Sequence, residues 1–301
     1  MVNSIDNLSR RDFMKLCGAA AAAVGLADLF SAEQVAHAVE TAARKPSVIW
    51  LEGLSCTGCT HSLISMEDPT PWSLILDKIS LRYHETIMAA AGYTAEKAKE
   101  DTIKEGGYIL VVEGSIPAAD DRFCMIGSRP FKEIVREAAQ NAEVIICAGN
   151  CSSFGGIPEG MPSKGIPVSD LNTGKPIINI STCPAHMDHL YGTILYYLIE
   201  HKAPALDKHN RPLLYFGTYI HDNCRRRAHF DSGEFLKDWN NPDQRDWCLY
   251  EKGCKGTETY SDCPVRRWNN GISFCIDAGA PCQGCAEPNF YGQFAPLFKA
   301  T

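Results

Sequence analysis

From residue 47 to 215, short apolar runs alternate with longer stretches of helical spacing. Residues 47–51, 79–83, 108–112, 144–148 and 177–180 are rich in Val, Ile and Leu and are closed by turn residues, as buried strands are. Between them, 94–105 begins at a Thr and ends at Gly106-Gly107, 130–141 opens on a proline, and 187–202 is long and amphipathic, all signals of helices. Strand, helix, strand in this order predicts an α/β fold with a parallel sheet covered on both faces. Residues 204–212 read as a connector, and from Leu213 the rhythm stops. The rest of the chain is interrupted by turns such as Glu251-Lys252-Gly253, Asn269-Asn270-Gly271 and Ala280-Pro281.

That turn-rich part carries His221, Cys224, Cys248, Cys254, Cys263, Cys275, Cys282 and Cys285. A segment with so many soft ligands and so little continuous apolar pattern needs inorganic staples to fold. Eight ligands are enough for two four-coordinate clusters, and Cys263-Pro264 follows a habit of iron–sulfur proteins. A second group lies in the α/β part. Cys56 and Cys59 follow the first predicted strand, Cys151 the run 144–148, and Cys183 the run 177–180. All leave carboxyl ends of strands, the edge where open α/β sheets bind ligands, so four thiols can converge there. Gly149, Gly155, Gly156 and Pro184 suit the close backbone approach such a site needs.

Composition narrows the setting. The 301 residues are 45% hydrophobic with a formal net charge of −7, which disfavours nucleic acid as a partner. No apolar run reaches the roughly 20 residues that cross a bilayer. Residues 19–30 come nearest and have another explanation. Ser9-Arg10-Arg11-Asp12-Phe13-Met14-Lys15 precedes an apolar stretch, and Ala36-His37-Ala38 offers a small-x-small cleavage site. These parts in order predict a twin-arginine export signal over residues 1–38, with mature protein starting near Val39. Three basic and four acidic residues leave with it, for a mature charge of −6. Cys17 leaves too, and the remaining thirteen cysteines are an odd number for a disulfide framework.

The ligand-bearing stretches resemble the small subunits of nickel–iron hydrogenases. The resemblance rests on Leu54-Ser55-Cys56-Thr57-Gly58-Cys59-Thr60, Ala148-Gly149-Asn150-Cys151-Ser152-Ser153-Phe154-Gly155-Gly156, Ser181-Thr182-Cys183-Pro184, His221-Asp222-Asn223-Cys224, Gly253-Cys254-Lys255-Gly256 and Cys282-Gln283-Gly284-Cys285. It implies a flavodoxin-like domain over 39–212 and a small irregular cluster domain over 213–301. It further implies that Cys56, Cys59, Cys151 and Cys183 hold a proximal [4Fe-4S] cluster near a hydrogen-activating nickel–iron centre in a separate large subunit. His221, Cys224, Cys248 and Cys254 would hold a distal [4Fe-4S] cluster, and Cys263, Cys282 and Cys285 a medial one. The implied activity is oxidoreductase chemistry with hydrogen as donor: this chain conducts electrons, as half of a heterodimer, to a periplasmic multihaem cytochrome c. No nucleophile or general base is conspicuous, so no catalytic residue is expected here.

Two departures from the family pattern matter. Many members carry Pro near Cys275 and hold a three-iron medial cluster, whereas Cys275 offers a fourth thiolate, as in nickel–iron–selenium relatives. A medial [4Fe-4S] cluster of lower potential is therefore expected. Oxygen-tolerant relatives place extra cysteines where Gly58 and Gly156 stand, so an ordinary proximal cubane is expected, as is the lack of an anchor helix after Phe298. At the distal site, a neutral imidazole in place of a thiolate raises the potential, by analogy with Rieske centres.

Rival readings are structural zinc, since Cys56-x-x-Cys59 and Cys282-x-x-Cys285 could each be half a site, a disulfide protein, or a wiring subunit of a quinone-reductase-type complex. Cys147 reads as a core thiol, while Cys124 matches no ligand position. Arg225-Arg226-Arg227 reads as a solvated run pairing with Asp222, Asp231 and Glu234, or as a docking patch. Trp239, Trp247 and Trp268 read as packing.

Overall fold

A computed structural model describes residues 10–41, 46–66 and 80–294. Ser9 and Phe298, which bear on the export signal and the chain end, lie outside them. The core is a five-stranded sheet of β1 (Ser47–Glu52), β2 (Ser80–His84), β3 (Tyr108–Glu113), β4 (Ala142–Ala148) and β5 (Ile177–Ile180). The order is β2-β1-β3-β4-β5 and every pairing is parallel. This is the flavodoxin-like order, as the resemblance implied.

Side-chain alternation divides the sheet into two cores. Val48, Trp50, Ile109 and Val111 enter one, and Ile49, Leu51, Tyr108, Leu110 and Val112 the other. The second is closed by α4 (Gly92–Glu105) and α5 (Phe131–Gln140). In α5, Phe131, Ile134, Val135, Ala138 and Ala139 are buried at the spacing of one helical face. The first core is closed by α3 (Gly58–Ile64) and α7 (Met187–Glu200). It also receives the N-terminal segment, whose helices α1 (Arg10–Ala23) and α2 (Ala32–Thr41) flank a turn at Gly25. Val24, Leu26 and Val35 are buried, and Tyr215 Oη donates to Val24 O at 3.0 Å. Among the described residues no helix is long and apolar enough to cross a membrane.

Several boundaries differ from expectation. α4 starts two residues before Thr94, after Ala91, so Thr94 is not its cap. Pro130 is the residue before α5 rather than in its first turn. α7 ends at Glu200, where His201 takes a left-handed conformation.

Beyond Gly217 only short helical turns occur among the described residues, around a cluster of Ile220, Leu236, Leu249, Phe274 and Ile276 mixed with cysteines. Trp247 and Trp268 pack on it, whereas Trp239 is exposed with Lys252 near its ring. The arginine run is not uniformly solvated. Arg227 pairs with Asp222 and Asp231 as expected, but Arg225 pairs with Asp277, and Glu234 is taken by His229. Arg226 is buried, because the carbonyls of Arg245 and Trp247 accept from its guanidinium at 2.9 and 2.7 Å.

Candidate metal centres

The first four thiols are brought to one place by the strand ends. Cys56 and Cys59 lie at the turn into α3, Cys151 in α6 (Asn150–Phe154) directly after β4, and Cys183 three residues beyond β5. Besides burial, Cys183 and Cys151 raise the Cys59 thiol, Cys183 and Cys56 raise Cys151, and Cys56 raises Cys183. Each of the four is therefore an electrostatic neighbour of at least two others. Burial pushes Cys151 up to about 12 and Cys183 to about 11, so without metal these are neutral thiols, and taking up iron must release protons. The backbone leaves little room for side chains at Gly149 and Gly156, and tight room at Gly58. A Cβ on Gly149 would lie 2.6 Å from Cys59 Sγ, one on Gly156 2.8 Å from Cys151 Sγ, and one on Gly58 3.0 Å from Cys56 Sγ. Ala185 N–H donates to Cys59 Sγ at 3.2 Å. Cys56 is exposed, beside a cleft of about 760 Å3 lined by Gly58, His61, Pro184, His186 and Trp268.

Sequence reasoning missed what holds this loop. Glu113, 1% exposed, closes β3 with the same parity as Ile109 and Val111, which aims it at α3. It accepts from Ser55 Oγ at 2.8 Å, Cys59 N at 3.1 Å, Thr60 N at 3.0 Å, Thr60 Oγ1 at 2.6 Å and Trp50 Nε1 at 3.2 Å. The signal was present: a carboxylate ending an apolar strand at the ligand edge. Glu52 Oε1 lies 3.1 Å from the same Thr60 Oγ1, whose single proton goes to Glu113, and it accepts from Thr86 Oγ1 at 2.9 Å.

Nearby, burial pushes Glu85 up to about 7, and its Oε1 has no hydrogen-bond partner. The folded state therefore keeps a proton that the unfolded chain releases, and stability falls as pH rises from about 4.5 through about 7. Glu85→Gln removes that fall. Thermal unfolding of the two proteins will coincide near pH 5, and the variant will be the more stable at pH 8 by roughly 1–3 kcal/mol; equal pH profiles would contradict this.

The second set lies in the irregular part. His221, Cys224, Cys248 and Cys254 line a single cavity of about 20 Å3 with Leu249 and Ile276. Burial lowers the His221 pKa, so its imidazole is neutral and able to ligate, and Phe230 packs edge-on at 4.5 Å. Arg226 N–H donates to Cys224 Sγ at 3.4 Å and Cys282 N–H to Cys254 Sγ at 3.3 Å.

The remaining thiols sit between. Burial pushes Cys263 up to about 11 and Cys282 to about 12. Cys275, although exposed, acts on Cys263, and Cys285 feels both Cys263 and Cys282. This set touches both others. Cys285 feels Cys183 and lies beside its backbone amide, while Cys282 and Cys275 feel Cys254. Two histidines unnoticed in the sequence stack beside it: His186 and His189, 4.7 Å apart, lie between Trp268 and Tyr215. His189 bonds Asp262, the neighbour of Cys263, at 2.7 Å.

Cys147 is wholly buried in the second core, and Cys124 packs at its margin away from every set. All fourteen cysteines are free of disulfides. Among the described residues no three His, Cys, Asp or Glu side chains converge as they would around one ion.

Comparison with known proteins bears on both halves. Residues 216–298 match the family model for the C-terminal region of the NiFe/NiFeSe hydrogenase small subunit, and residues 56–197 the model for the 20 Kd subunit of NADH ubiquinone oxidoreductase. The chain is 41% identical over 300 residues to the periplasmic [NiFe] hydrogenase small subunit 1 of Nitratidesulfovibrio vulgaris, covering 97% of this chain and 94% of that one. It is 43% identical over 290 residues to the uptake hydrogenase small subunit of Azotobacter vinelandii, covering 94% and 80%. The reduced, active Ni-Fe-Se hydrogenase of Desulfomicrobium baculatum superposes with a TM-score of 0.77 at 36% identity, over 83% of this chain and 98% of that one. The chain therefore belongs to the small subunits of nickel–iron and nickel–iron–selenium hydrogenases, the electron-transfer partners of a hydrogenase large subunit.

Proposed function

We propose that the chain carries electrons between a nickel–iron centre in the large subunit and a surface acceptor, by way of three iron–sulfur clusters. Cys56, Cys59, Cys151 and Cys183 hold the proximal [4Fe-4S], Cys263, Cys275, Cys282 and Cys285 the medial, and His221, Cys224, Cys248 and Cys254 the distal [4Fe-4S]. Bound there, the clusters supply one-electron carriers whose potentials follow net charge, hydrogen bonding and burial. The donor chemistry fits: eleven thiols and an imidazole, with Gly149, Gly156 and Gly58 leaving sulfur-facing space that a side chain would fill.

The observation that carries the reading is that the middle set adjoins both others, with Cys282 N–H donating to Cys254 Sγ at 3.3 Å and Cys285 beside the Cys183 amide. Cys183 reaches Cys285, and Cys282 and Cys275 reach Cys254. Within it, the chain's residues hold iron, exclude water and aim N–H groups at sulfur, as Ala185, Arg226 and Cys282 do. Zinc staples account less well for the ligands, because no second close cysteine pair accompanies either Cys56-x-x-Cys59 or Cys282-x-x-Cys285. A quinone-reductase-type wiring subunit accounts for 56–197 alone, whereas the match over 216–298 continues through the other two sets.

The large subunit meets the exposed Cys56 side, and a periplasmic multihaem cytochrome c takes electrons from the His221 side. Residues 1–38 export the folded protein by the twin-arginine route, 39–212 form the flavodoxin-like domain, and 213–301 the cluster domain. Electron paramagnetic resonance of the oxidised heterodimer tests the medial assignment. Wild type should lack a strong three-iron signal and Cys275→Ser should gain one; a strong signal already in wild type overturns the four-iron assignment.

A further inference from the structure

The segment following Cys285 is gripped from three directions by residues that ligate nothing. Asn150 Nδ2 donates to the carbonyls of Cys285 at 3.0 Å and Glu287 at 2.9 Å. Ser181 Oγ donates to Ala286 O at 2.7 Å. Arg211 Nη1 donates to Ala286 O and to Glu287 Oε1, both at 3.0 Å, and the same Glu287 oxygen accepts Tyr260 N–H at 2.7 Å. All three gripping side chains are buried. They come from separate places: Asn150 from the end of β4 beside Cys151, Ser181 from the end of β5 beside Cys183, and Arg211 from the connector.

Two details show that the grip is specific. Asn150 Oδ1 is buried without a partner, so the amide is oriented for its donor side alone. Arg211 lies 1% exposed between the rings of Phe216 and Tyr260, with Asp207 accepting from its Nε at 2.8 Å, so its guanidinium cannot swing away. A shorter hydrophobic contact would bury this segment equally well but would not set its register. Hydrogen bonds to three successive carbonyls do.

We infer that Asn150, Ser181 and Arg211 are positioning residues that clamp the Cys285–Ala286–Glu287 strap, holding the Cys285 sulfur against the Cys183 amide so that electrons cross from the first thiol set to the middle one. The inference rests on the relay reading proposed for the three sets. The strap joins the α/β part to a ligand of the irregular part through consecutive hydrogen bonds, and Cys183 and Cys285 are the ligands it brings side by side. Loosening it leaves every ligand in the chain yet changes the gap electrons must cross.

Asn150→Ala and Ser181→Ala in the intact heterodimer test this, with Asn179→Ala as control. Asn179 is a buried amide that donates to His209 O at 2.8 Å and does not touch the strap. Iron content is measured first, then amide hydrogen exchange of residues 282–290, hydrogen-driven reduction of an external dye, and D2/H+ exchange, which needs no electron export. The expected result for Asn150→Ala is strap amide exchange faster by roughly tenfold or more and dye reduction slower on the order of tenfold, at unchanged iron content and unchanged D2/H+ exchange. Ser181→Ala shifts both in the same direction by less, and Asn179→Ala shifts neither. Should Asn150→Ala lose iron, Ser181→Ala decides alone. Faster strap exchange with normal dye reduction, no change in either, or an equal fall in D2/H+ exchange would each overturn the proposal. Wild-type heterodimer without iron in this chain would instead sink the relay, while the strap's exchange behaviour would still be read separately.

Discussion

Replacing Cys285 with alanine will separate hydrogen activation from electron delivery. Hydrogen-driven reduction of an external acceptor is expected to fall by at least about a hundredfold, while D2/H+ exchange in the same heterodimer stays within roughly twofold of wild type. The reasoning follows from position. Cys285 is the thiol whose surroundings include Cys183 on one side and Cys263 and Cys282 on the other. Its loss removes a proposed middle-set ligand and the sulfur beside the Cys183 amide together. The first set keeps Cys56, Cys59, Cys151 and Cys183, so the large subunit retains its neighbour. Serine is the less informative replacement, since its hydroxyl can still accept from that amide. Equal loss of exchange and acceptor reduction would mean that the variant is misassembled rather than uncoupled.

Glu113→Ala is expected to be the most damaging change at a residue that holds no metal. It strands five donors that now converge on one carboxylate: Ser55 Oγ, the amides of Cys59 and Thr60, Thr60 Oγ1 and Trp50 Nε1. Each buried group left unpaired costs about 1–3 kcal/mol, and breaking a buried charged network typically costs about 3–5 kcal/mol. Against a whole-domain stability of about 5–15 kcal/mol, that is enough to deplete the folded subunit. Glutamine is a poor rescue here, because its NH2 would face donors rather than acceptors, whereas aspartate keeps the charge but falls short of the loop. Yield of assembled heterodimer and its thermal unfolding are the readouts. A Glu113→Ala protein unfolding within about 1 kcal/mol of wild type would show that the loop is held by something else.

Glu113 also marks where the sequence was legible and where it was not. Four of the five strands could be read because they are largely apolar on both faces, as the interior of a parallel sheet requires, whereas the edge strand β2 carries Ser80, Arg82 and His84. Placing Cys56, Cys151 and Cys183 together needed only the rule that loops at one edge of such a sheet converge. Glu113 looked like the polar end of a strand, since its five donors come from residues 50 to 60, far away in the chain. Asn150 hid in the same way inside a cysteine motif, because its partners are carbonyls more than a hundred residues later. Arg226 was misread as part of a solvated charge run. Carbonyls of residues 245 and 247 decide its burial, and nothing in a run of three arginines announces them.

The irregular part was legible by its chemistry and illegible by its shape. Its cysteines and His221 stand out, but no periodicity predicts how short turns around Ile220, Leu236 and Phe274 bring them into sets. The N-terminal segment shows the converse. Its apolar stretch reads in sequence as an export signal, yet the same residues bury Val24, Leu26 and Val35 against the core that α7 closes. Apolar side chains carry no label for the surface they will meet.

Counting iron and acid-labile sulfide in the purified heterodimer tests the central claim most directly. If twelve side chains gather three cubanes, roughly a dozen irons and a dozen sulfides will be assignable to this chain, with a brown thiolate-to-iron absorption that hydrogen bleaches. A colourless protein, or one holding zinc or only a few irons in place of that dozen, would contradict it.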